Sequence, residues 1–277
     1  MADKLTEKDI ENISIEGTEE HAIMPLRNTV LFPQQVIPIY IGREKSLKLI
    51  SDLESEKRKY IIVVAQEDGS IEDPKPEDLY AYGTLATVLK VFAMPDNSKS
   101  AIVQGISRVK ILDYIEKEPY FKAAVSTISD DPVGNELELT GISDNLRNSF
   151  SDLIKVAPNL TEEHTGMLSN IQKPNRLVDR AISLMTLSNQ EKQDILEETN
   201  VKKRIEKAIA IINREIQRIK LGDEIQTEVH DEIAKTQREY YLREQMKAIQ
   251  KELGEDEGTV ELKELEDRIK AAKMPEE

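Results

Sequence analysis

Cysteine and tryptophan are absent from the 277 residues, and aromatic residues make up only 4% of the chain. Without cysteine, the chain forms no disulfide and has no thiolate nucleophile. With few aromatic groups and 33% charged residues, the composition indicates a lean core beneath a large solvated surface. A domain usually has about 100–200 residues, so the chain is long enough for two compact units.

Long apolar runs are also missing. No stretch approaches the roughly 18 apolar residues that mark a membrane-spanning helix, and the acidic N-terminus is unlike a signal peptide. We therefore expect no membrane contact and a cytoplasmic location. The net charge of −15 would repel nucleic acid, whose binding requires clustered lysine and arginine. We expect no nucleic-acid partner.

The motifs of common active sites do not occur. A P-loop needs glycine followed by lysine, and none of the 11 glycines has that neighbour. Gly105 begins a G-x-S-x-G nucleophile elbow, but Val109 stands where its second glycine would be. The three histidines lie in different predicted elements and have no clustered cysteine or histidine, so zinc is not expected. The sequence predicts no catalytic residue, no cofactor site and no metal site in this chain.

Residues 1–20 are acidic and poor in large apolar groups, which predicts a disordered leader. Residues 21–130 contain short β-rich runs punctuated by proline. We predict strands around Ile23 and Leu26, at Val30–Phe32, Val36–Ile41, Tyr60–Ala65, Leu79–Phe92, Ala101–Ile115 and Tyr120–Ile128, with one helix at Glu44–Glu56. Such strands favour a small, mostly antiparallel, partly closed β-sheet, in which Gly83 and Gly105 mark bulges or close approaches.

Helix signals dominate after residue 130. The predicted helices of the 131–199 region are Glu136–Val156, Thr161–Ile171, Asn175–Leu187 and Gln190–Glu198. Ser188 followed by Glu191 has the spacing of a capping box, and short connections between the helices favour a bundle. The fold class predicted for the whole chain is α+β: a β-sheet subdomain, a helical bundle and then a very long extended helix.

The long helix is predicted over residues 200–253, with Asn200 as its N-cap. Its apolar residues follow a heptad-like spacing, and the phase slips beside Gly222, which indicates a bend or a change of packing partner. Little chain remains to cover the second half, because residues 254–277 form an acidic break and a short helix at Val260–Lys273. We therefore expect this half to associate with another chain or domain.

Two surfaces are candidates for binding. The first is a proline-punctuated strand edge and hairpin, which either packs as ordinary core and turn or binds exposed hydrophobic segments of misfolded proteins. Its residues are Leu31, Phe32, Pro33, Phe92, Met94 and Pro95. The second is the end of the long helix, which either packs against the Val260–Lys273 helix or mediates self-association. Its residues are Tyr240, Tyr241, Leu242, Met246 and Ile249.

Three segments resemble one known family. TQREYYLREQMKAIQKELGE, from Thr236 to Glu255, is similar to the signature helix of Lon ATP-dependent proteases. MPLRNTVLFPQQVIPIYIGREKS, from Met24 to Ser46, resembles the opening strands of the Lon amino-terminal domain, and DLYAYGTLATVLKVF, from Asp78 to Phe92, resembles its middle hairpin. The match runs in family order from about His21 to Glu277.

The resemblance implies a non-catalytic region for substrate recognition and oligomerisation in a hexameric, ATP-driven serine protease. The family's serine–lysine pair and its sites for ATP and magnesium belong to later modules, so none is carried over to residues of this chain. Arg43, Glu44 and Lys45 lie in a matching segment, and we expect them to support assembly. The alternative function is a stand-alone Lon-domain adaptor or scaffold without protease activity.

Overall fold

The computed structural model describes residues 20–56, 60–96, 98–131, 135–252 and 265–269. They belong to two compact units that divide after Gln217, within the long helix. The predicted leader, except for its last residue Glu20, and the 254–264 segment lie outside the described residues. Residues 265–269 are helical, and the remainder of the predicted Val260–Lys273 helix lies outside the described residues.

Within the described ranges, six strands form one sheet. They are β1 (Glu20–Leu26), β2 (Val36–Ile41), β3 (Tyr60–Ala65), β4 (Tyr82–Ala93), β5 (Lys99–Glu116) and β6 (Lys122–Ile128). The strand order is β2-β5-β4-β3-β1-β6, and β6 also pairs with β5. This second pairing closes five of the strands into a barrel, with β2 attached outside the ring. All pairs are antiparallel except β1 with β3. The predicted mostly antiparallel, partly closed sheet is confirmed.

The barrel closes because β5 is long enough to pair with three other strands. Its first half pairs with β2, its second half pairs with β6, and β4 follows most of its length. Register shifts at Leu85/Ala86 and Val88/Lys90 interrupt the ladder between β4 and β5, and bulges of this kind are typical of barrel corners. The predicted close approaches are also present. A Cβ at Gly83 would lie 2.6 Å from the carbonyl oxygen of Val63, and one at Gly105 would clash with the carbonyl of Phe32.

Alternating side chains fill the barrel. β3 is buried almost throughout, from Ile61 to Ala65, as its continuous apolar run predicts for a central strand. Helix α1 (Glu44–Glu56) lies beside the barrel and contributes Leu49, Ile50 and Leu53 to its core. On β2 only alternate residues, Ile39 and Ile41, are buried, so the other face of that strand is free to face solvent.

In the described residues the sheet is followed by four helices before the long one: α2 (Glu136–Val156), α3 (Glu162–Ser169), α4 (Pro174–Leu184) and α5 (Asn189–Glu197). The first residues of α2 and α5 are set by side-chain caps, each worth about 1 kcal/mol. Asn135 accepts hydrogen bonds from the backbone of α2, and Ser188 with Glu191 forms the predicted capping box of α5. Ser188 and Glu191 therefore set the start of α5, as their spacing predicts.

The long helix, α6, extends from Val201 to Glu252 and passes through Gly222 as a continuous α-helix. Asn200 caps it as predicted, with its side chain accepting from Lys203 N at 3.0 Å. Its buried residues all lie in the first unit and are Val201, Arg204, Ile205, Ala208 and Ile212. From Leu221 onward every residue of the helix is exposed. The burial of α6 thus ends near the unit boundary.

Candidate functional site

Three neighbouring strands present one exposed face. The register places Tyr40 of β2 beside Ser100 of β5, and Ser100 beside Phe92 of β4. One row further, Pro38, Ile102 and Lys90 lie side by side in the same way. Directly opposed residues in antiparallel strands share a face. We call the side chains of these two rows the outer face. The name also includes Val36, two residues before Pro38, and Met94, two residues after Phe92.

The outer face is unusually apolar for a solvated surface. The exposed fractions are 50% for Val36, 67% for Tyr40, 39% for Phe92 and 42% for Met94. Lys90 places its ammonium 4.7 Å from the centroid of the Phe92 ring, so its alkyl chain and its charge border the same ring. A contiguous exposed patch of apolar groups is typical of a surface that binds a partner.

The hairpin turn is fastened to this face. Tyr40 donates its hydroxyl hydrogen to Asp96 Oδ2 at 3.1 Å, and Ser98 donates from both its backbone and its side chain to Asp96 Oδ1. These hydrogen bonds, those from Ser98 foremost, lower the pKa of Asp96 below its usual value. Pro95 is exposed in the same turn. The ionised Asp96 thereby holds Met94 and Pro95 next to the strands.

Leu31 and Phe32 do not belong to any exposed surface, which corrects their prediction as substrate contacts. Their exposed fractions are only 2% and 1%. The predicted strand at Val30–Phe32 is instead an irregular segment, with Leu31 O accepting from Thr84 Oγ1 at 2.5 Å. Its apolar side chains pack into the barrel because Gly105 lets the backbone approach. Pro33 is half-buried next to them.

A cleft of ≈ 880 Å³ lies beside the outer face. It is lined by β2 from Ile37 to Ile41, by Ile23–Leu26 of β1 and by the pair Tyr120–Phe121. The start of α1 and residues 72–74 also line it. The volume falls within the range of about 300–1,000 Å³ that is usual for ligand sites.

Arg43, Glu44 and Lys45 line this cleft. Arg43 donates to Gln66 Oε1 at 2.6 Å, and burial, followed by the charge of Arg27, lowers the pKa of its guanidinium. Lys45 pairs with Glu118 at 3.0 Å and with Asp73 at 3.5 Å. These contacts fasten loops of the same chain around the cleft. A role of the three residues in assembly stays a prediction.

The candidate residues at the end of α6 are all exposed, with fractions of 69% for Tyr240, 62% for Tyr241, 53% for Leu242, 58% for Met246 and 56% for Ile249. Leu242, Met246 and Ile249 have the four–three spacing of a coiled-coil seam. Ile225, Val229 and Ile233, nearer the helix start, are also about half exposed, but Ile233 lies about two and a half turns before Leu242 and so on the other side of the helix. We call Leu242, Met246 and Ile249 the α6 stripe.

A buried ionic cluster joins the barrel to the helices, and the sequence analysis missed it. Asp179 of α4 contacts Arg108 of β5 at 2.5 Å and Arg204 of α6 at 3.6 Å. Arg204 is fully buried and also pairs with Asp130, which follows β6. The four residues are far apart along the chain, so the sequence does not show that they meet. The one feature that could have indicated the cluster is Arg108, a charged residue inside an apolar strand.

The described residues contain no group of three or more histidine, cysteine or acidic side chains placed to hold a metal ion. His164 serves as a cap, with its Nδ1 accepting from Thr161 N at 3.0 Å. No helix in the described ranges combines the length and hydropathy of a membrane span. The candidate binding surfaces of the described residues are the outer face, the cleft and the α6 stripe.

A barrel followed by a helical bundle is also found in a solved protein. The N-terminal domain of the Mycobacterium avium complex Lon protease superposes with a TM-score of 0.58, covering 70% of this chain and 98% of that one at 17% identity. At that identity the likeness shows the fold. The fold is therefore that of a Lon N-terminal domain.

The sequence comparisons show the family. The model of the ATP-dependent protease La (LON) substrate-binding domain matches residues 20–214, and the chain belongs to that family. Lon proteases of Dictyoglomus thermophilum and Koribacter versatilis are each 41% identical over 92% of this chain. The chain spans 32% and 31% of their lengths. It therefore corresponds to about a third of these relatives, and the predicted resemblance is confirmed.

Proposed function

We propose that this chain binds unfolded polypeptide through the outer face. The observation that carries the proposal is the exposure of Tyr40 on β2, Phe92 on β4 and Met94 in the turn after β4, along the face that β2, β5 and β4 share. Unfolded chains expose apolar side chains of varied shape, and a flexible methionine beside flat aromatic rings adapts to many of them. A patch without a deep, shaped pocket suits partners that share hydrophobicity rather than sequence.

Membership of the substrate-binding family supports a role within a larger protease. We propose that the complete protein is an ATP-dependent serine protease that uses magnesium and degrades misfolded and regulatory proteins. In that protein this region would hold the substrate, and the nucleotide and protease sites would lie in other modules. The support is that the relatives of which this chain covers about a third are Lon proteases.

Replacing both Phe92 and Met94 with serine should weaken binding of the chain to β-casein, an unfolded protein, by about tenfold or more. Each substitution removes an apolar side chain that the bound polypeptide would bury. Burying such a side chain fully contributes roughly 1.5–3 kcal/mol to the binding free energy, and burying it partly contributes about half of that. Fluorescence anisotropy of labelled β-casein, titrated with the full chain, measures the change. A circular dichroism melt of the variant confirms that the barrel stays folded.

The matched control is the double replacement of Leu112 and Ile115 by serine. These residues are 60% and 46% exposed on the second half of β5, away from the outer face. The control should bind β-casein as the unmodified chain does. Equal loss in both variants would mean that any exposed apolar group suffices, and unchanged binding in the Phe92 and Met94 variant would refute the outer face as the binding surface.

We also propose that the α6 stripe mediates self-association, giving a hexamer in the complete protein. Apolar residues that are about half exposed along a helix are costly to leave in water, and a second copy would bury them in a coiled-coil seam. The stripe lies on a continuous helix without proline, which suits such packing.

A further inference from the structure

The free edge of β2 faces the cleft. Within the described part of the chain, β2 pairs with β5 alone and stands last in the strand order. The cleft follows the strand from Ile37 to Ile41. An unpaired strand edge offers a row of backbone donors and acceptors to an extended chain.

The hydrogen bonds of β2 show which backbone groups point outward. Gly105 N donates to Gln35 O at 2.9 Å, so Gln35 and Gly105 form a hydrogen-bonded pair of the ladder. In an antiparallel ladder bonded and non-bonded pairs alternate, and the register continues without a shift through Ile41. Ile37 and Ile39 therefore bond to β5, whereas the backbone groups of Pro38 and Tyr40 point to the free edge.

The position of Pro38 agrees with this alternation. Proline has no N–H, and it is tolerated in a strand where that group would face away from the partner strand. Tyr40 thus offers both its N–H and its C=O to the cleft, and Pro38 offers its C=O. These groups have the spacing that a second extended chain needs for pairing.

The lining of the cleft indicates the chemistry of its occupant. Arg27, Arg43 and Lys45 are matched by Glu44, Glu72 and Asp73, which leaves the cleft without net charge. On an added strand, alternate side chains would meet the apolar floor formed by Leu26, Ile39 and Leu49, which are all buried. The remaining side chains would extend onto the outer face beside Tyr40.

We propose that an extended, uncharged apolar segment of unfolded polypeptide binds in this cleft as an added strand on β2, paired with the backbone of Pro38 and Tyr40. The inference rests on the proposed function, since it describes how the captured polypeptide is held. Backbone pairing gives affinity that is independent of sequence, while alternate pockets select apolar side chains. Segments with charge or proline in their centre are rejected.

The test compares two peptides on the full chain. One is Lys-Ser-Val-Ile-Val-Ile-Val-Ser-Lys, and the other carries N-methyl groups on all of its valines and isoleucines. The side chains are the same, but the methylated peptide has no central N–H to donate and clashes with a neighbouring strand. Methylation should weaken binding by about tenfold or more, measured by fluorescence anisotropy.

A pair of variants tests the protein side. Tyr40→Pro removes the outward N–H without touching the bonds to β5, whereas Tyr40→Val removes the ring and keeps that N–H. Tyr40→Pro should bind the unmethylated peptide several-fold more weakly than Tyr40→Val. If the proline variant is misfolded by circular dichroism, the comparison of the two peptides on the unmodified chain still decides the outcome.

The outcomes separate this inference from the proposed function. If β-casein binds to the chain but the two peptides bind equally well, or neither binds, the added strand is wrong and capture by side-chain contacts stands. If β-casein itself does not bind, the proposed function fails. Loss of binding on methylation, together with a weaker Tyr40→Pro variant, supports strand addition.

Discussion

Replacing Asp179 with alanine is expected to lower the free energy of unfolding by about 3–5 kcal/mol, the usual cost of breaking a buried ion pair. Asp179 is 4% exposed and lies between two buried guanidinium groups, those of Arg108 and Arg204. Without it, Arg108 loses its counter-charge within the described residues, and its Nε still donates to the carbonyl of Leu196 at 2.8 Å. A buried charge without its counter-charge is far costlier than a lost surface contact.

Thermal melting followed by circular dichroism measures the effect. For a folded unit of roughly 200 residues each kcal/mol corresponds to about 2–4 °C, so the midpoint should fall by about 6–20 °C. The control is Lys155→Ala, which removes an exposed pair with Asp152. Exposed pairs contribute about 0–1 kcal/mol, so this variant should melt nearly as the unmodified chain does.

The cluster connects four parts of the first unit: β5, the segment after β6, α4 and the start of α6. Arg204 also donates to Glu198 O at 2.7 Å, so the first turn of the long helix is fixed to the bundle. A midpoint for Asp179→Ala within 2 °C of the control would contradict this account, since about 1 kcal/mol or less would then hold the junction.

Ending the chain at Gly222 is expected to reduce its mass in solution to that of a single chain. The truncation removes the α6 stripe, whose exposed apolar residues would otherwise be covered by another copy. The full chain has a mass of 31.5 kDa, and multi-angle light scattering should find a multiple of that value. The truncated chain should show one copy at the same concentration.

Point variants of the full chain exclude a trivial effect of shortening. Met246→Glu with Ile249→Glu adds two negative charges to the stripe and should dissociate the oligomer. Lys251→Glu changes the net charge equally on the opposite side of the helix and should leave the mass unchanged. If the full chain is already a single copy over the accessible concentration range, the stripe does not mediate self-association in this chain.

The sequence predicts the elements well where local chemistry determines them. α1 and α2 have the predicted bounds, and α5 is displaced by one residue at each end. Ser188 and Asn200 act as the predicted caps because a capping side chain bonds only to neighbours in sequence. The central strand β3 is similarly evident from its continuous apolar run.

The predictions were wrong where burial depends on distant partners. Leu31 and Phe32 follow a pattern that suits an exposed edge, yet they are buried because their backbone lies against Thr84 of β4 and Gly105 of β5. Tyr40 and Pro38 were not proposed as contacts, since only the register of β2 on β5 places them beside Phe92 and Ile102. Hydrophobic periodicity specifies which residues share a face of one strand, and strand pairing then decides which faces join.

The most direct test of the proposed binding surface is hydrogen exchange of the full chain with and without saturating β-casein. Substrate capture at the outer face and the free edge of β2 predicts slower exchange at residues 36–41 and 88–104. The helices between residues 136 and 197 should exchange equally in both samples. Protection confined to those helices, with β2 and β4 unchanged, would contradict the assignment of substrate binding to the outer face.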